Sequence, residues 1–239
     1  MTKSSFPGFP PEALKFLRAL EKNNNREWFE ANKQTYLDNV KTPMEAFATA
    51  VSAELTRFAP AYATDPKKAI YRIYRDTRFS ANKTPYKTHA GALFFNSALG
   101  KHDTGSFYVE VSHRYVGVAA GIYMPDAARL RAIRAHLLDH HARFAKLTRD
   151  KALVECFGEL QGDKLSRPPK GFLPDHPGIE WIKHKQWYYW RELDASLATS
   201  PELVREVVSR FRKSAPVIEF LNQPLAAAKK KLAPLILDL

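Results

Sequence analysis

The chain has 239 residues, of which 45% are hydrophobic and 26% are charged, and its formal net charge at pH 7 is +12. Such a composition is ordinary for a globular protein, and a chain of this length buries a core without covalent cross-links. No apolar run reaches the ~18 residues that a membrane-spanning helix needs, so we expect no membrane protein. A surplus of positive charge attracts nucleic acid, anionic membranes or phosphorylated ligands, but charge alone is explained as well by solubility, so its position along the chain matters more.

Cys156 is the single cysteine of the sequence, which excludes an intramolecular disulfide. Residues 1–12 lack the apolar segment of a secretory signal peptide. Both features predict a reducing, cytoplasmic environment. Because Cys156 has no second cysteine with which to share a zinc ion, we interpret it as a small buried apolar residue.

The N-terminal part, residues 1–58, carries the periodicity of three helices. Pro11 opens the first helix, and the polar run 23–25 ends it. Asn25 is suited to cap the second helix, because its side chain can accept a hydrogen bond from the first turn. The third helix begins at Pro43 and places its apolar residues on one stripe, namely Met44, Phe47, Val51, Leu55 and Phe58.

The middle of the chain has the pattern of strands. Residues 70–74 are β-branched and aromatic, and residues 90–95 are an apolar run. Residues 107–111 and 116–122 alternate between apolar and polar or small side chains, as half-buried strands do. A tight connection at residues 113–114 joins these two strands, which predicts an antiparallel hairpin.

Helices return after Pro125, and a proline-rich loop follows at residues 162–178. The aromatic residues 186–193 predict a strand, and its Trp and Tyr side chains are more typical of a core than of a platform for stacked bases. Ser200 is placed to cap the next helix, and Pro216 predicts the start of the last helix.

These elements predict an α+β fold with a central antiparallel sheet, an N-terminal helical cap and further helices packed on the sheet. The proline-rich loop could mark a domain boundary, but the strand that follows it needs partners in the sheet. We therefore expect a single domain over residues 1–239, with a short flexible N-terminus at residues 1–8.

The segment 67–89 concentrates positive charge outside any helical pattern. Its seven cationic side chains are opposed by one carboxylate, that of Asp76. Clustered guanidinium groups suit the bidentate capture of phosphate or carboxylate, and the aromatic residues between them are unusual for a solvated charge run. Two structural interpretations remain open: an edge strand that its charges protect from aggregation, or an ion pair of Asp76 with Arg78 that anchors a loop.

A second basic stretch covers residues 164–185 and contains the sequence Asp-His-Pro at 175–177. A carboxylate beside the imidazole would make His176 the best general acid or base of the chain. The alternative is an Asx turn that caps the helix near residues 179–183.

From these segments we expect a binding pocket for an anionic, phosphorylated small molecule. The ligand-binding residues are predicted to be Arg72, Arg75, Asp76, Arg78, Lys83, Tyr86, Lys87 and Lys170, and the candidate catalytic residues are His176 and His89. We expect no cofactor and no metal, because the helical pair His136 and His140 lacks a third ligand. Two alternatives use the same basic surface: nucleic-acid binding, with Trp187 and Tyr189 lining the groove, or docking of an acidic partner protein.

Several of these motifs occur together in one known family. They are Asn23-Asn24-Asn25-Arg26 with Trp28-Phe29, Arg72-Ile73-Tyr74-Arg75-Asp76-Thr77-Arg78-Phe79-Ser80, Lys83-Thr84-Pro85-Tyr86-Lys87-Thr88-His89, Gly121-Ile122-Tyr123-Met124-Pro125, and Pro169-Lys170-Gly171-Phe172 with Asp175-His176-Pro177. In combination they resemble the uncharacterised bacterial family catalogued as domain of unknown function 2461, over about residues 9–221. The resemblance implies one domain and supplies no activity, but it points to the two basic segments as the functional region.

Overall fold

Helices and four strands make up the computed structural model, which describes residues 6–102 and 104–232. The α-helices are α1 (Pro11–Lys22), α2 (Arg26–Ala31), α3 (Lys33–Tyr36), α4 (Thr42–Leu55), α5 (Pro66–Ala69), α6 (Ala127–Thr148), α7 (Lys151–Phe157), α8 (Ile179–Ile182) and α9 (Leu203–Leu232). The strands are β1 (His89–Phe95), β2 (Ser106–Ser112), β3 (Tyr115–Ile122) and β4 (Trp187–Asp194). They form one antiparallel sheet in the order β1-β2-β3-β4, which confirms the predicted α+β class.

The residues group into two compact units. The first unit holds the chain up to Phe94 together with Tyr108–Val118 and Glu192–Ser209. The second unit holds Phe95–Phe107, Ala119–Arg191 and the chain from Arg210 onward. The single domain expected from the sequence stays a prediction.

In the first unit, the asparagine run fixes how the N-terminal helices begin and end. The Asn23 side chain donates to the Ala19 carbonyl at 2.9 Å, and the Asn25 side chain accepts from the Trp28 amide at 2.9 Å, as predicted for the cap of α2. The second predicted helix is shorter than expected, because Asn32 adopts a non-helical conformation that separates α2 from α3. Of the predicted flexible N-terminus, residues 1–5 lie outside the described residues, whereas Phe6 is buried.

The sequence predicted half-buried strands at 107–111 and 116–122, but β2 is buried on both faces from Val109 to Ser112. Val109 and Val111 are buried, and the Ser112 hydroxyl accepts hydrogen bonds from the amides of Arg114 and Tyr115, which closes the predicted turn. The strand predicted at residues 70–74 is reduced to two isolated antiparallel bridges, Ile70 with Ala92 and Tyr74 with Tyr86. This segment nevertheless runs alongside the start of β1.

In the second unit, helices follow Pro125 as predicted, and Asp150 caps α7 ahead of the proline-rich loop. One expectation from the sequence is wrong. The last helix does not start at Pro216, because α9 continues through it. A proline inside a helix costs about 3 kcal/mol, but α9 buries apolar side chains on both sides of Pro216, among them Phe211 and Ile218.

Candidate functional site

Residues 70–87 form a hairpin of irregular backbone, here called the basic hairpin. Its base is anchored in the core of the first unit: the Asn24 side chain donates to the Tyr86 carbonyl and accepts from the Tyr86 amide, both at 3.0 Å. The Tyr86 ring stacks on Phe29 with the ring centroids 4.1 Å apart, and only 2% of Tyr86 is exposed. Tyr86 thus supports the hairpin, and its predicted contact with a ligand stays a prediction.

Arg75 is half-buried and braces the loop of the basic hairpin from within. Its guanidinium donates to the hydroxyl and, at 3.2 Å, to the carbonyl of Thr84, and it lies 3.5 Å from the Ser80 hydroxyl. The Asn82 side chain holds the same turn by accepting from the amide and hydroxyl of Thr84. All of these oxygen acceptors are neutral, so the charge of Arg75 stays uncompensated within this set of contacts.

Asp76 and Arg78 form the ion pair that one of the structural interpretations anticipated. The guanidinium of Arg78 donates to both carboxylate oxygens, at 3.1 and 2.8 Å. These hydrogen bonds, together with the charge of Arg72 nearby, lower the pKa of Asp76 to about 2. Because the side chain of Arg78 is 77% exposed, the pair contributes little stability.

The lysines of the basic hairpin also bond to backbone carbonyls. Lys83 donates to the Thr77 carbonyl at 2.9 Å, and Lys87 donates to the Arg72 carbonyl at 3.0 Å. The Lys87 ammonium also lies 4.9 Å from the centre of the Tyr71 ring. These contacts give the hairpin its shape and leave its positive charge in place.

The basic hairpin contains all the predicted ligand-binding residues except Lys170. Lys170 and His176 both belong to the second unit. Lys170 is exposed, whereas His176 is half-buried. The ring nitrogen Nδ1 of His176 accepts from the Gly178 amide at 3.0 Å, and Gly178, the N-cap residue of α8, makes no side-chain cap hydrogen bond. The local turn is therefore made by the histidine itself and is not the helix-capping Asx turn offered as an alternative. The role of His176 as a proton carrier stays a prediction.

His89, the other candidate catalytic residue, lies beside a carboxylate that the sequence analysis did not single out. Glu110 on β2 is 7% exposed and accepts hydrogen bonds from the hydroxyls of Tyr108 at 2.6 Å and Tyr115 at 2.7 Å. The Nε2 atom of His89 on β1 lies 3.4 Å from the nearer Glu110 oxygen. Gly91 makes room for this arrangement, because a Cβ atom there would lie 2.6 Å from the Tyr108 hydroxyl.

Burial sets the protonation of this cluster. It lowers the pKa of His89, and the neighbouring carboxylate of Glu110 opposes that shift only in part. Burial and Glu110 both raise the pKa of Tyr108 and of Tyr115, so the two hydroxyls remain protonated donors. His89 is thus a neutral imidazole at pH 7 beside the carboxylate of Glu110, and its role as a proton carrier stays a prediction.

The family comparison agrees with the sequence motifs. The model of the family described as conserved hypothetical protein DUF2461 matches residues 12–220. The chain belongs to this family. The matched range contains both basic segments and the Glu110 cluster. This DUF2461 protein is also 33% identical over 82 residues to the urea active transporter of Saccharomyces cerevisiae, a similarity that covers 34% of this chain and 11% of the transporter.

No group of three or more metal-ligating side chains occurs in this DUF2461 protein within residues 6–102 and 104–232. The predicted pair His136 and His140 does form, with ring centroids 4.5 Å apart. Trp187 and Tyr189 are fully buried, which confirms the core interpretation of that strand and removes both rings from any base-stacking groove. None of the described helices has the length and apolar character that crossing a membrane requires.

Proposed function

We propose that the basic hairpin binds a phosphate-bearing ligand. The observation that supports this proposal is that the hydrogen bonds within the hairpin neutralise little of its positive charge. Arg75 and Lys83 donate to neutral oxygens, and the single carboxylate of the hairpin, Asp76, is bonded to Arg78. Five cationic side chains face one acid in residues 70–87. Such a surplus on one short segment attracts anions strongly.

Donor capacity remains on these cations after the internal hydrogen bonds are counted. A lysine ammonium has three N–H groups, of which Lys83 uses one for the Thr77 carbonyl. Arg72 is exposed and presents a planar guanidinium that suits two phosphate oxygens. Hydrogen bonds to charged groups contribute about 1.5–3 kcal/mol each, so two or three of them contribute about 3–9 kcal/mol, which corresponds to a Kd between roughly 6 mM and 0.3 μM.

The site would work without a metal ion, because guanidinium and ammonium groups themselves neutralise the phosphate charge. Asp76 remains ionised at neutral pH, and its single negative charge orients Arg78 without cancelling the surplus. The expected cytoplasmic location, where phosphorylated metabolites are abundant, is part of the same proposal.

Calorimetry with pyrophosphate at fixed ionic strength tests the proposal. Wild type should bind with a Kd in the stated range, and Arg72→Gln should weaken binding about tenfold, the loss of one charge-assisted contact. Lys15→Gln is the matched control, because it removes an exposed cation of α1 that pairs only with its own helix neighbour Glu12. Absence of binding, or equal weakening by both variants, would refute the proposal.

A further inference from the structure

The most exposed large apolar side chain among the described residues lies in the basic hairpin. Phe79 is 95% exposed, and the Arg78 guanidinium lies over its ring, 5.7 Å from the ring centre. An isolated phenylalanine in water contributes nothing to the core and is unfavourable for solubility. The loop is shaped by Arg75, Asn82 and Lys83 instead, so the conformation of the hairpin does not depend on the Phe79 ring.

A second aromatic ring is presented next to the loop. Tyr74 is 45% exposed, and its inner side rests on Phe29 and Tyr86 at centroid distances of 6.1 and 5.4 Å. Exposed cations lie between and beside the two rings along the chain, namely Arg72, Arg78 and Lys83. Aromatic faces interleaved with cations are the combination by which proteins hold single strands, since bases stack on rings while phosphates meet cations.

We propose that the ligand of the basic hairpin is a single-stranded nucleic acid, with one base stacked on Phe79 and the flanking phosphates bound by Arg72 and Lys83. This inference rests on the proposed phosphate binding and adds the class of ligand. A mononucleotide fits less well, because the exposed cations are spread along the hairpin.

Two other polyanions fit the hairpin less well. A duplex keeps its bases stacked inside, so Phe79 would reach one only after unstacking. An anionic membrane is a weaker match as well, because the residues beyond Phe79 are Ser80, Ala81 and Asn82, and stable membrane anchoring needs more buried apolar area than one ring provides.

Fluorescence anisotropy with a labelled oligothymidylate of about 16 nucleotides, the upper end of such site sizes, tests the inference. Phe79→Ala should weaken binding on the order of tenfold, Phe79→Leu should weaken it similarly because it lacks a ring, and Phe79→Trp should restore it. Arg72→Gln should lower the slope of log affinity against log salt by about 0.7, whereas Phe79→Ala should leave that slope unchanged. Since Phe79 is exposed, all three of its variants should keep the unfolding temperature of wild type.

Pyrophosphate calorimetry on the same variants separates the two proposals. If pyrophosphate and the oligonucleotide both fail to bind, the proposed function fails along with this inference. If pyrophosphate binds but oligonucleotide affinity does not change in Phe79→Ala and Phe79→Leu, only the inference is overturned. A duplex of the same length that binds more tightly than the single strand, or phosphatidylserine vesicles that bind through Phe79 while the oligonucleotide does not, would overturn it too.

Discussion

A buried histidine makes the stability of this protein depend on pH between about pH 7 and pH 4. His184 is 2% exposed, and its Nδ1 atom lies 3.0 Å from the Gln186 carbonyl, to which the neutral ring donates. Burial, together with the positive charge of Lys164, lowers its pKa from 6.5 to about 4 against the opposing effects of the Gln186 carbonyl and Glu180.

The sign of the effect follows from the lowered pKa. The unfolded chain takes up a proton on His184 near pH 6.5, whereas the folded chain does so only near pH 4. The contribution of neutral His184 to the free energy of unfolding is therefore fully present above about pH 6.5 and is lost as the pH falls toward 4. At about 1.4 kcal/mol for each pKa unit, the full loss is about 3 kcal/mol, of which about 2 kcal/mol falls between pH 7 and pH 5.

Urea denaturation of wild type and His184→Asn at pH 7 and pH 5 measures this difference. The asparagine amide nitrogen replaces Nδ1 as the donor to the Gln186 carbonyl but carries no titrating proton. Wild type should lose about 2 kcal/mol more unfolding free energy over that interval than the variant. His102→Asn, the same change at an exposed histidine, should follow wild type. Parallel losses in wild type and His184→Asn would refute the argument.

Three further substitutions test other parts of the structure. Glu110→Ala leaves two tyrosine hydroxyls without their acceptor, so we expect a loss of about 2–4 kcal/mol in urea denaturation, and a smaller loss for Glu110→Gln, which keeps one oxygen. Arg75→Gln removes the internal brace of the basic hairpin, so amide hydrogen exchange over residues 77–84 should become faster while global stability changes little. Gly121→Ala should lower the free energy of unfolding by several kcal/mol more than Gly158→Ala. Both residues have a positive φ, but of the two only Gly121 has backbone where a Cβ atom would lie, with the Trp187 carbonyl oxygen 2.3 Å away.

The parts of the fold that the sequence predicted are those in which local pattern and tertiary burial agree. The stripe of α4 presents one face to the core, so periodicity alone is sufficient to predict this helix. In β2 the alternation predicts the strand but not its burial, because Glu110 and Ser112 are buried as well. The passage of α9 through Pro216 could not be predicted, because the local cost of a proline has to be compared with burial against residues that are distant in sequence.

The candidate site was predictable in composition and not in arrangement. Charge counts were enough to find the basic hairpin, and the pairing of Asp76 with Arg78 involves neighbours two residues apart. The hydrogen bonds between Asn24 and Tyr86 join residues 62 positions apart, which no local pattern reveals. The alternation of the strand assigns Glu110 to a polar, solvent-facing side, although Tyr108 two positions earlier on the same face was a signal for a hydrogen-bonded pair.

Gly91 and Tyr108 constrain each other's evolution. The phenol oxygen occupies the space in which any side chain at position 91 would begin, and the bond to Glu110 prevents that oxygen from moving aside. Across homologous chains the two positions should therefore covary: where alanine or a larger residue replaces the glycine, the partner strand should carry phenylalanine or a shorter residue instead of tyrosine. Lineages that made this exchange would retain the sheet while their buried glutamate accepts one hydrogen bond fewer.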